Sequence, residues 1–179
     1  MLYETNILQN PKELAQLIDL LRRENVRSYL EVGSRFGGSL WRIANALPPG
    51  SRIVAVDLPR PDAETSLRSC AAALLNRGYD MHLHLGDSAA SEIAGAVRAL
   101  GPFDFCFIDG NHTEQYVRQD WATYGAISRI VAFHDIAWLP GQRETLLEVP
   151  KVWNEIKLGF RHHEISLQPH DCGIGILWR

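Results

Sequence analysis

Apolar positions along the chain alternate between helical spacing and short continuous runs that are typical of buried strands. Asn10 and Pro11 provide a helix start, and an apolar face follows at positions i, i+3, i+4 and i+7. That face consists of Leu14, Leu17, Ile18 and Leu21. Short apolar runs then alternate with further amphipathic stretches, so the pattern predicts five successive strand–helix units.

The strand-like runs come in two groups. The predicted parallel strands are 28–32, 52–57, 81–85, 103–109 and 130–133. Alternation of strands and helices predicts an α/β fold with a doubly wound, mostly parallel sheet and right-handed crossovers. The last two runs, 161–167 and 173–178, have no helical pattern between them, so we expect an antiparallel hairpin joined by a loop at 169–171. The longest predicted loop is 137–148.

Length and composition are those of an ordinary globular domain. With 179 residues, 46% hydrophobic and 22% charged, the chain is expected to form one domain: an N-terminal helix (1–25), a core (26–136) and a closing segment (137–179). A net charge of −3 without charge blocks gives no case for nucleic-acid or membrane-surface partners. No leader or membrane-spanning run is visible. Three widely spaced cysteines favour free thiols in a reducing compartment, and we expect a cytoplasmic protein.

Glycines and carboxylates follow the predicted parallel strands. The residues at these strand ends include Gly33, Asp57, Asp87, Asp109 and Asp135. In an open parallel sheet, ligands bind in the crevice beyond the carboxyl ends of the strands. The sequence therefore predicts that these residues converge on one rim and line a binding site.

A glycine-rich turn follows the first predicted strand. Gly33, Gly37 and Gly38 precede a helix whose N-terminal N–H groups favour a carboxylate or phosphate, and they allow a ligand to approach the backbone. A tight strand-to-helix turn without a ligand is the alternative interpretation. The spacing differs from the G-x-G-x-x-G of dinucleotide-binding proteins, which disfavours a nicotinamide cofactor.

Carboxylates at the ends of the second and third strands point to a nucleoside. Asp57 is placed to accept both hydroxyls of a ribose, although a surface aspartate that caps a turn would have the same pattern. Asp87 and Ser88 are a weaker signal, because Ser88 could instead cap the following helix. Together with the glycine turn, these residues suggest a ligand with an anionic tail, a ribose and a base.

A divalent metal is the third candidate ligand. Asp109 and Asp135 end two strands that we expect to be neighbours, and paired carboxylates supply hard oxygen ligands. His134 could add an imidazole ligand or act as a base. Turn chemistry at 109–112 and helix capping by Asp135 are the alternatives.

These motifs resemble the class I methyltransferases that depend on S-adenosylmethionine (SAM), in the branch of cephalosporin-hydroxylase-like and catechol-type O-methyltransferases. The motifs that carry the resemblance are Glu31–Ser39, Asp57, Gly86–Ser88, Phe107–His112 and Phe133–Ile136. The resemblance spans roughly 26–178 and implies a seven-stranded sheet with an antiparallel last strand. The chain departs from the family pattern at 125–129, where a Pro-Gly-Gly sequence is usual.

Site roles follow from the resemblance. It implies that Glu31, Gly33 and Ser39 surround the methionyl end of SAM. It also implies that Asp57 binds the ribose and that Asp87 with Ser88 flanks the adenine. The residues expected to contact SAM are Glu31, Gly33, Ser34, Gly37, Gly38, Ser39, Asp57, Asp87, Ser88 and Asp109. The expected ligands of Mg²⁺ or another divalent metal are Asp109, His134 and Asp135, and the expected catalytic residues are Asp109, His112 and His134.

The predicted function is methyl transfer from SAM to a hydroxyl of a small-molecule acceptor, with His134 or His112 as general base if no metal takes part. Two alternatives stay open: a methyltransferase-like binding module without catalysis, and a nicotinamide-dependent oxidoreductase. The exposed first helix and the edge strands are compatible with a homodimer.

Overall fold

The computed structural model describes residues 2–7, 9–138, 147–167 and 172–179. The helices are α1 (Leu2–Thr5), α2 (Pro11–Arg23), α3 (Gly38–Ala44), α4 (Glu64–Asn76), α5 (Ser91–Leu100), α6 (Glu114–Thr123) and α7 (Val149–Ile156). Short 3₁₀ turns occupy Gly125–Ile127 and Lys157–Gly159. The strands are β1 (Ser28–Val32), β2 (Arg52–Asp57), β3 (Asp80–Leu85), β4 (Phe103–Ile108), β5 (Ser128–His134), β6 (Arg161–Ile165) and β7 (Ile174–Trp178).

The strands form one seven-stranded mixed sheet in the order β3-β2-β1-β4-β5-β7-β6. β1 to β5 are parallel, which confirms the predicted α/β architecture. β7 is antiparallel to β5, with Val131 opposite Leu177, and β6 pairs antiparallel with β7 at the edge. The predicted closing hairpin is therefore confirmed, while its loop at 169–171 and most of the predicted loop 137–148 lie outside the described residues.

Helices cover both faces of the sheet. Alternate strand residues point to opposite sides, so Tyr29 packs with α1 to α4 while its neighbour Leu30 packs with α5 to α7. The predicted helical face of α2 is buried in the first of these layers, and Asn10 caps the helix by accepting a hydrogen bond from the N–H of Lys12. All three cysteines are buried free thiols, as predicted.

The short helix α1 is not predicted from the sequence, because four residues are too few to show a helical period. A tertiary contact holds it in place: Tyr3 is buried, and its ring packs edge-on against Trp41 of α3 with the ring centres 5.0 Å apart. This contact brings the N-terminal segment to the carboxyl end of β1. In the described part of the chain, no helix has the length and apolarity needed to cross a bilayer.

Replacing Gly175 of β7 by alanine is expected to lower the free energy of unfolding by about 2 kcal/mol. A Cβ atom there would lie 2.6 Å from the Trp153 ring, and this buried indole is held by a 2.7 Å hydrogen bond from its Nε1 to Glu164. Gly95→Ala in α5 is the matched control, because nothing lies within 4 Å of that added methyl group. The free energy of unfolding of the control, measured with urea, is expected to rise by about 0.5–1 kcal/mol, since alanine is a better helix former than glycine. Equal stability of the two variants would contradict the packing argument.

Candidate functional site

A cleft of about 470 Å³ opens across the carboxyl ends of β1 to β4. Its walls include four segments at the ends of these strands: 32–36, 56–58, 86–88 and 109–113. Nine of the residues in those segments and in α3 belong to the predicted site: Gly33, Ser34, Gly38, Ser39, Asp57, Asp87, Ser88, Asp109 and His112. Four of the five predicted strand-end residues thus meet in the cleft, as the parallel topology requires, while Asp135 is not among the described lining residues.

Gly33 makes the turn after β1 with a φ of +92°, a conformation that favours glycine. An added Cβ atom would lie 2.5 Å from the carbonyl carbon of Asp109, on the neighbouring strand end. Gly33 is therefore required by the close contact between two protein segments, in addition to lining the cleft.

The other two glycines of the turn are also held by protein contacts. A Cβ atom on Gly37, whose φ is +88°, would lie 2.9 Å from the Cβ of Cys70, and one on Gly38 would overlap the carbonyl group of Asn6. Gly38 lines the cleft, whereas Gly37 is not among the described lining residues. The sequence interpretation, that these glycines let a ligand approach, leaves out the packing of the turn against α4 and the N-terminal segment.

Glu31 lies behind the cleft wall and is fully buried. Burial raises the pKa of its carboxyl to about 7, against the opposing effect of the nearby Ser39 and Ser34 hydroxyls. Within the described part of the chain, neither carboxylate oxygen has a hydrogen-bond partner at normal geometry. The nearby Ser34 and Ser39 line the cleft, whereas Glu31 is not among its described lining residues.

Asp57 ends β2 and faces the cleft. Its Oδ2 accepts a hydrogen bond from the backbone N–H of Arg35, a residue with a positive φ of 44° in the turn after β1. Its Oδ1 lies 3.8 Å from Nε of Arg60. These contacts fix the carboxylate between β1 and β2, where it can accept hydrogen bonds from a ligand.

Asp87 follows β3, and both of its carboxylate oxygens have protein partners. Oδ1 accepts a 2.9 Å hydrogen bond from the N–H of Ala89, and Oδ2 accepts a 3.0 Å hydrogen bond from the hydroxyl of Tyr116. Ser88 does not cap α5, because the N-cap of that helix is Ala90. Tyr116 also lines the cleft and is not predicted from the sequence, where its one signal is its position four residues after His112.

Asp109, His134 and Asp135 form a compact cluster at the ends of β4 and β5. Nδ1 of His134 lies 3.5 Å from Oδ1 of Asp109 and 3.1 Å from Oδ1 of Asp135. Each of the three residues offers one ligand atom, and these atoms lie within 4.8 Å of one another. Asp135 has a φ of +62°, in the left-handed region that residues other than glycine uncommonly adopt.

His112 is the fourth member of this cluster. Its Nε2 lies 3.6 Å from Oδ1 of Asp109 and 3.4 Å from Oδ2 of Asp135. The nearby Asp109 carboxylate raises the pKa of His112, and the charge of Asp135 adds to this effect. Although burial alone would raise the pKa of Asp135, hydrogen bonding and the nearby charges of His134 and His112 hold it below its ordinary value.

Gln9 is not predicted from the sequence either, because its partner is 100 positions away. The buried Gln9 amide donates a 2.6 Å hydrogen bond from Nε2 to Oδ2 of Asp109, and both residues line the cleft. In contrast, His134 and Asp135 are not among the lining residues in the described chain. The cluster therefore extends from one end of the cleft into the protein.

Comparison with known proteins gives the same fold and a family. A curated relative, tapetum-specific methyltransferase 1 of Arabidopsis thaliana, is 27% identical over 158 residues, and the match covers 78% of this chain and 64% of that protein. The chain thus spans a little under two thirds of that relative's length.

Solved structures with low sequence identity share the fold. The O-methyltransferase TomG from Streptomyces achromogenes, in complex with SAM, is 19% identical with a TM-score of 0.74. The match covers 97% of this chain and 82% of that one. The O-methyltransferase from Bacillus cereus, in complex with S-adenosylhomocysteine (SAH), is 18% identical with a TM-score of 0.72, covering 96% of this chain and 82% of the other. Residues 30–136 match the family described as a methyltransferase domain, and the chain belongs to that family.

Proposed function

We propose that this protein is a SAM-dependent methyltransferase that transfers a methyl group to a hydroxyl of a small-molecule acceptor. The observation that carries the proposal is the cleft itself, in which a glycine turn and three strand-end carboxylates converge. Its volume of about 470 Å³ is in the range of small-molecule and cofactor pockets. The complexes of two structural relatives with SAM and SAH support this assignment.

The strand order suggests how the cofactor lies in the cleft. Asp57, at the end of β2, is the acceptor that suits the two hydroxyls of a ribose. The turn after β1, with the hydroxyls of Ser34 and Ser39, would hold the methionyl end. The base would then extend toward β3, to Asp87 and Ser88, on the far side of the ribose.

The chemistry of the cluster of Asp109, His134 and Asp135, called the acidic cluster below, fits a divalent metal. Asp109 and Asp135 supply hard oxygen atoms and His134 supplies an imidazole nitrogen, all within 4.8 Å of one another. Two neighbouring carboxylates that are each more than four-fifths buried repel one another, and a cation offsets that repulsion. A metal bound there would lower the pKa of an acceptor hydroxyl and hold it in place.

The protein's own task in methyl transfer is alignment and proton removal. SAM supplies a methyl group that its sulfonium already activates. The acceptor oxygen bonds to the methyl carbon as the carbon–sulfur bond breaks, so the hydroxyl proton needs an acceptor. His112 is better placed for this than His134, because it lines the cleft, and the carboxylates of Asp109 and Asp135 stabilise its protonated form.

Calorimetric titration with SAH tests the proposal, and the wild-type protein is expected to bind it. A ligand at 100 times its dissociation constant adds about 2.7 kcal/mol to the free energy of unfolding, so melting temperature should rise with SAH concentration. Asp57→Asn is expected to weaken binding about tenfold, because it removes a charged acceptor of the ribose hydroxyls.

Asp80→Asn is the matched control, because Asp80 begins β3 at the opposite end of the sheet, paired with Arg52 and His82. Its SAH affinity should equal that of the wild type. Failure of the wild type to bind SAH or SAM would overturn the proposed function, and binding of NADH instead would favour an oxidoreductase.

A further inference from the structure

Tyr116 lines the end of the cleft where the base of the cofactor would lie, and the proposed methyl transfer gives it no role. We propose that Tyr116 is a positioning residue for adenine recognition: its hydroxyl orients the Asp87 carboxylate to accept a hydrogen bond from the 6-amino group of the base. This inference rests on the proposed function, because it assigns an end of the same cleft.

The position of the base follows from the order of the strands. The cleft runs from β3 through β2 and β1 to β4, and the acidic cluster lies at its β4 end. A nucleoside whose ribose is held at Asp57 on β2, with its tail at the β1 turn, must direct its base toward β3. The polar side chains of the cleft wall on this side include Asp87 and Ser88, which follow β3, and Tyr116, which contacts Asp87.

Two hydrogen bonds fix the Asp87 carboxylate. The Ala89 N–H donates to Oδ1 at 2.9 Å, and the Tyr116 hydroxyl donates to Oδ2 at 3.0 Å. With one donor on each oxygen, the carboxylate is held against rotation. The hydrogen bond to Asp87 also raises the pKa of Tyr116 above its ordinary value, so the hydroxyl stays protonated and serves as a donor at neutral pH.

Gln119 of helix α6 and Tyr124, which follows that helix, hold the segment after β3 through two further hydrogen bonds that do not involve Tyr116. The side-chain amide of Gln119 donates to the carbonyl of Ala89 at 3.2 Å, and the hydroxyl of Tyr124 donates to the carbonyl of Ser88 at 2.6 Å. Loss of the Tyr116 hydroxyl therefore leaves this segment attached to α6. The Tyr116 hydroxyl differs from these two donors because it contacts a side chain that lines the cleft, whereas they contact backbone carbonyls.

The chemistry of this pair selects the base. An ionised carboxylate only accepts hydrogen bonds and has about four lone-pair positions, of which protein donors occupy two. The remaining positions suit the 6-amino group of adenine, which is a donor. A 6-oxo group at the same place, as in hypoxanthine, is a hydrogen-bond acceptor. It would face the carboxylate, which is also an acceptor, and no hydrogen bond to Asp87 could form.

The test is a cycle of binding measurements in which protein and ligand are each changed by one group. SAH and S-inosylhomocysteine, whose base carries a 6-oxo group, are titrated calorimetrically into the wild type and Tyr116→Phe. The wild type is expected to prefer SAH by about tenfold or more. Tyr116→Phe is expected to bind SAH about fivefold more weakly and the inosyl ligand about as well as the wild type, so the preference shrinks.

Tyr79→Phe is the matched control, because it removes a buried tyrosine hydroxyl that bonds the Leu47 carbonyl at 3.4 Å and lies outside the cleft. It should leave both affinities unchanged. This proposal would be overturned if Tyr116→Phe weakened the binding of both ligands equally or changed neither affinity. SAH would still bind in that case, so the proposed function would stand. Failure of the wild type to bind either ligand would overturn both.

Discussion

Gly33→Ala is expected to lower the free energy of unfolding by about 3 kcal/mol or more and to abolish SAH binding. Two costs combine. The residue has a φ of +92°, where a side chain adds roughly 1–2 kcal/mol of strain, and its Cβ atom would lie 2.5 Å from the Asp109 carbonyl carbon. Backbone cannot move aside as a flexible side chain can, so the strand ends of β1 and β4 must separate. Urea unfolding and SAH calorimetry measure the two effects.

The matched control for this prediction is Gly78→Ala. Gly78 has a φ of +84°, close to that of Gly33, but nothing lies within 4 Å of an added Cβ atom. It therefore carries the conformational strain without the overlap, and we expect a loss of about 1–2 kcal/mol with SAH binding unchanged. If the two variants lost equal stability, the contact between Gly33 and Asp109 would not be the reason for glycine at this turn.

Asp109→Asn is expected to weaken the binding of Mg²⁺ or Mn²⁺ about 100-fold or more. Asp109 supplies one of the two carboxylates in the cluster. Substitution of residues that only hydrogen-bond to metal ligands commonly lowers metal affinity about 10- to 100-fold, so loss of a ligand charge should cost at least as much. Asparagine keeps the size of the side chain and one oxygen acceptor but removes the charge. Titration calorimetry with each metal ion measures the change directly and needs no knowledge of the methyl acceptor.

Asp57→Asn is the control for this second prediction. It removes one negative charge from the same rim of the sheet, two strands away from β4 and outside the cluster. Metal affinity in this variant should stay within about twofold of the wild type, because Asp57 supplies no ligand atom to the cluster and the interaction between charges weakens with distance. Equal losses in the two variants, or no loss in Asp109→Asn, would mean that Asp109 is not a metal ligand.

The parts of this site that depend on periodicity and chain order could be predicted from the sequence. Once 52–57 and 103–108 are recognised as parallel strands, Asp57 and Asp109 must share a rim. Alternation along a strand is less informative at its end: it does not tell whether Glu31 faces the cleft or lies behind it. The structure buries Glu31 fully and leaves the nearby Ser34 and Ser39 in the cleft wall, a difference that spacing along the chain does not show.

Contacts between distant segments could not be predicted in the same way. Gln9 reaches Asp109 across 100 positions, and Tyr116 reaches Asp87 across 29. Neither residue interrupts a periodic pattern or belongs to a motif, so each is an ordinary polar side chain until the fold brings it to the cleft. The glycine turn shows the same dependence, because the neighbours that exclude a Cβ atom come from other elements of the chain.

The position of the N-terminal segment has a practical consequence for producing the protein. Asn6 and Gln9 form part of the cleft wall, although they precede every strand of the sheet. A version shortened to begin at Asn10 would retain all seven strands and yet lack this wall and the donor to Asp109. An affinity tag is therefore better attached after Trp178, where the last strand ends away from the cleft, than before Tyr3.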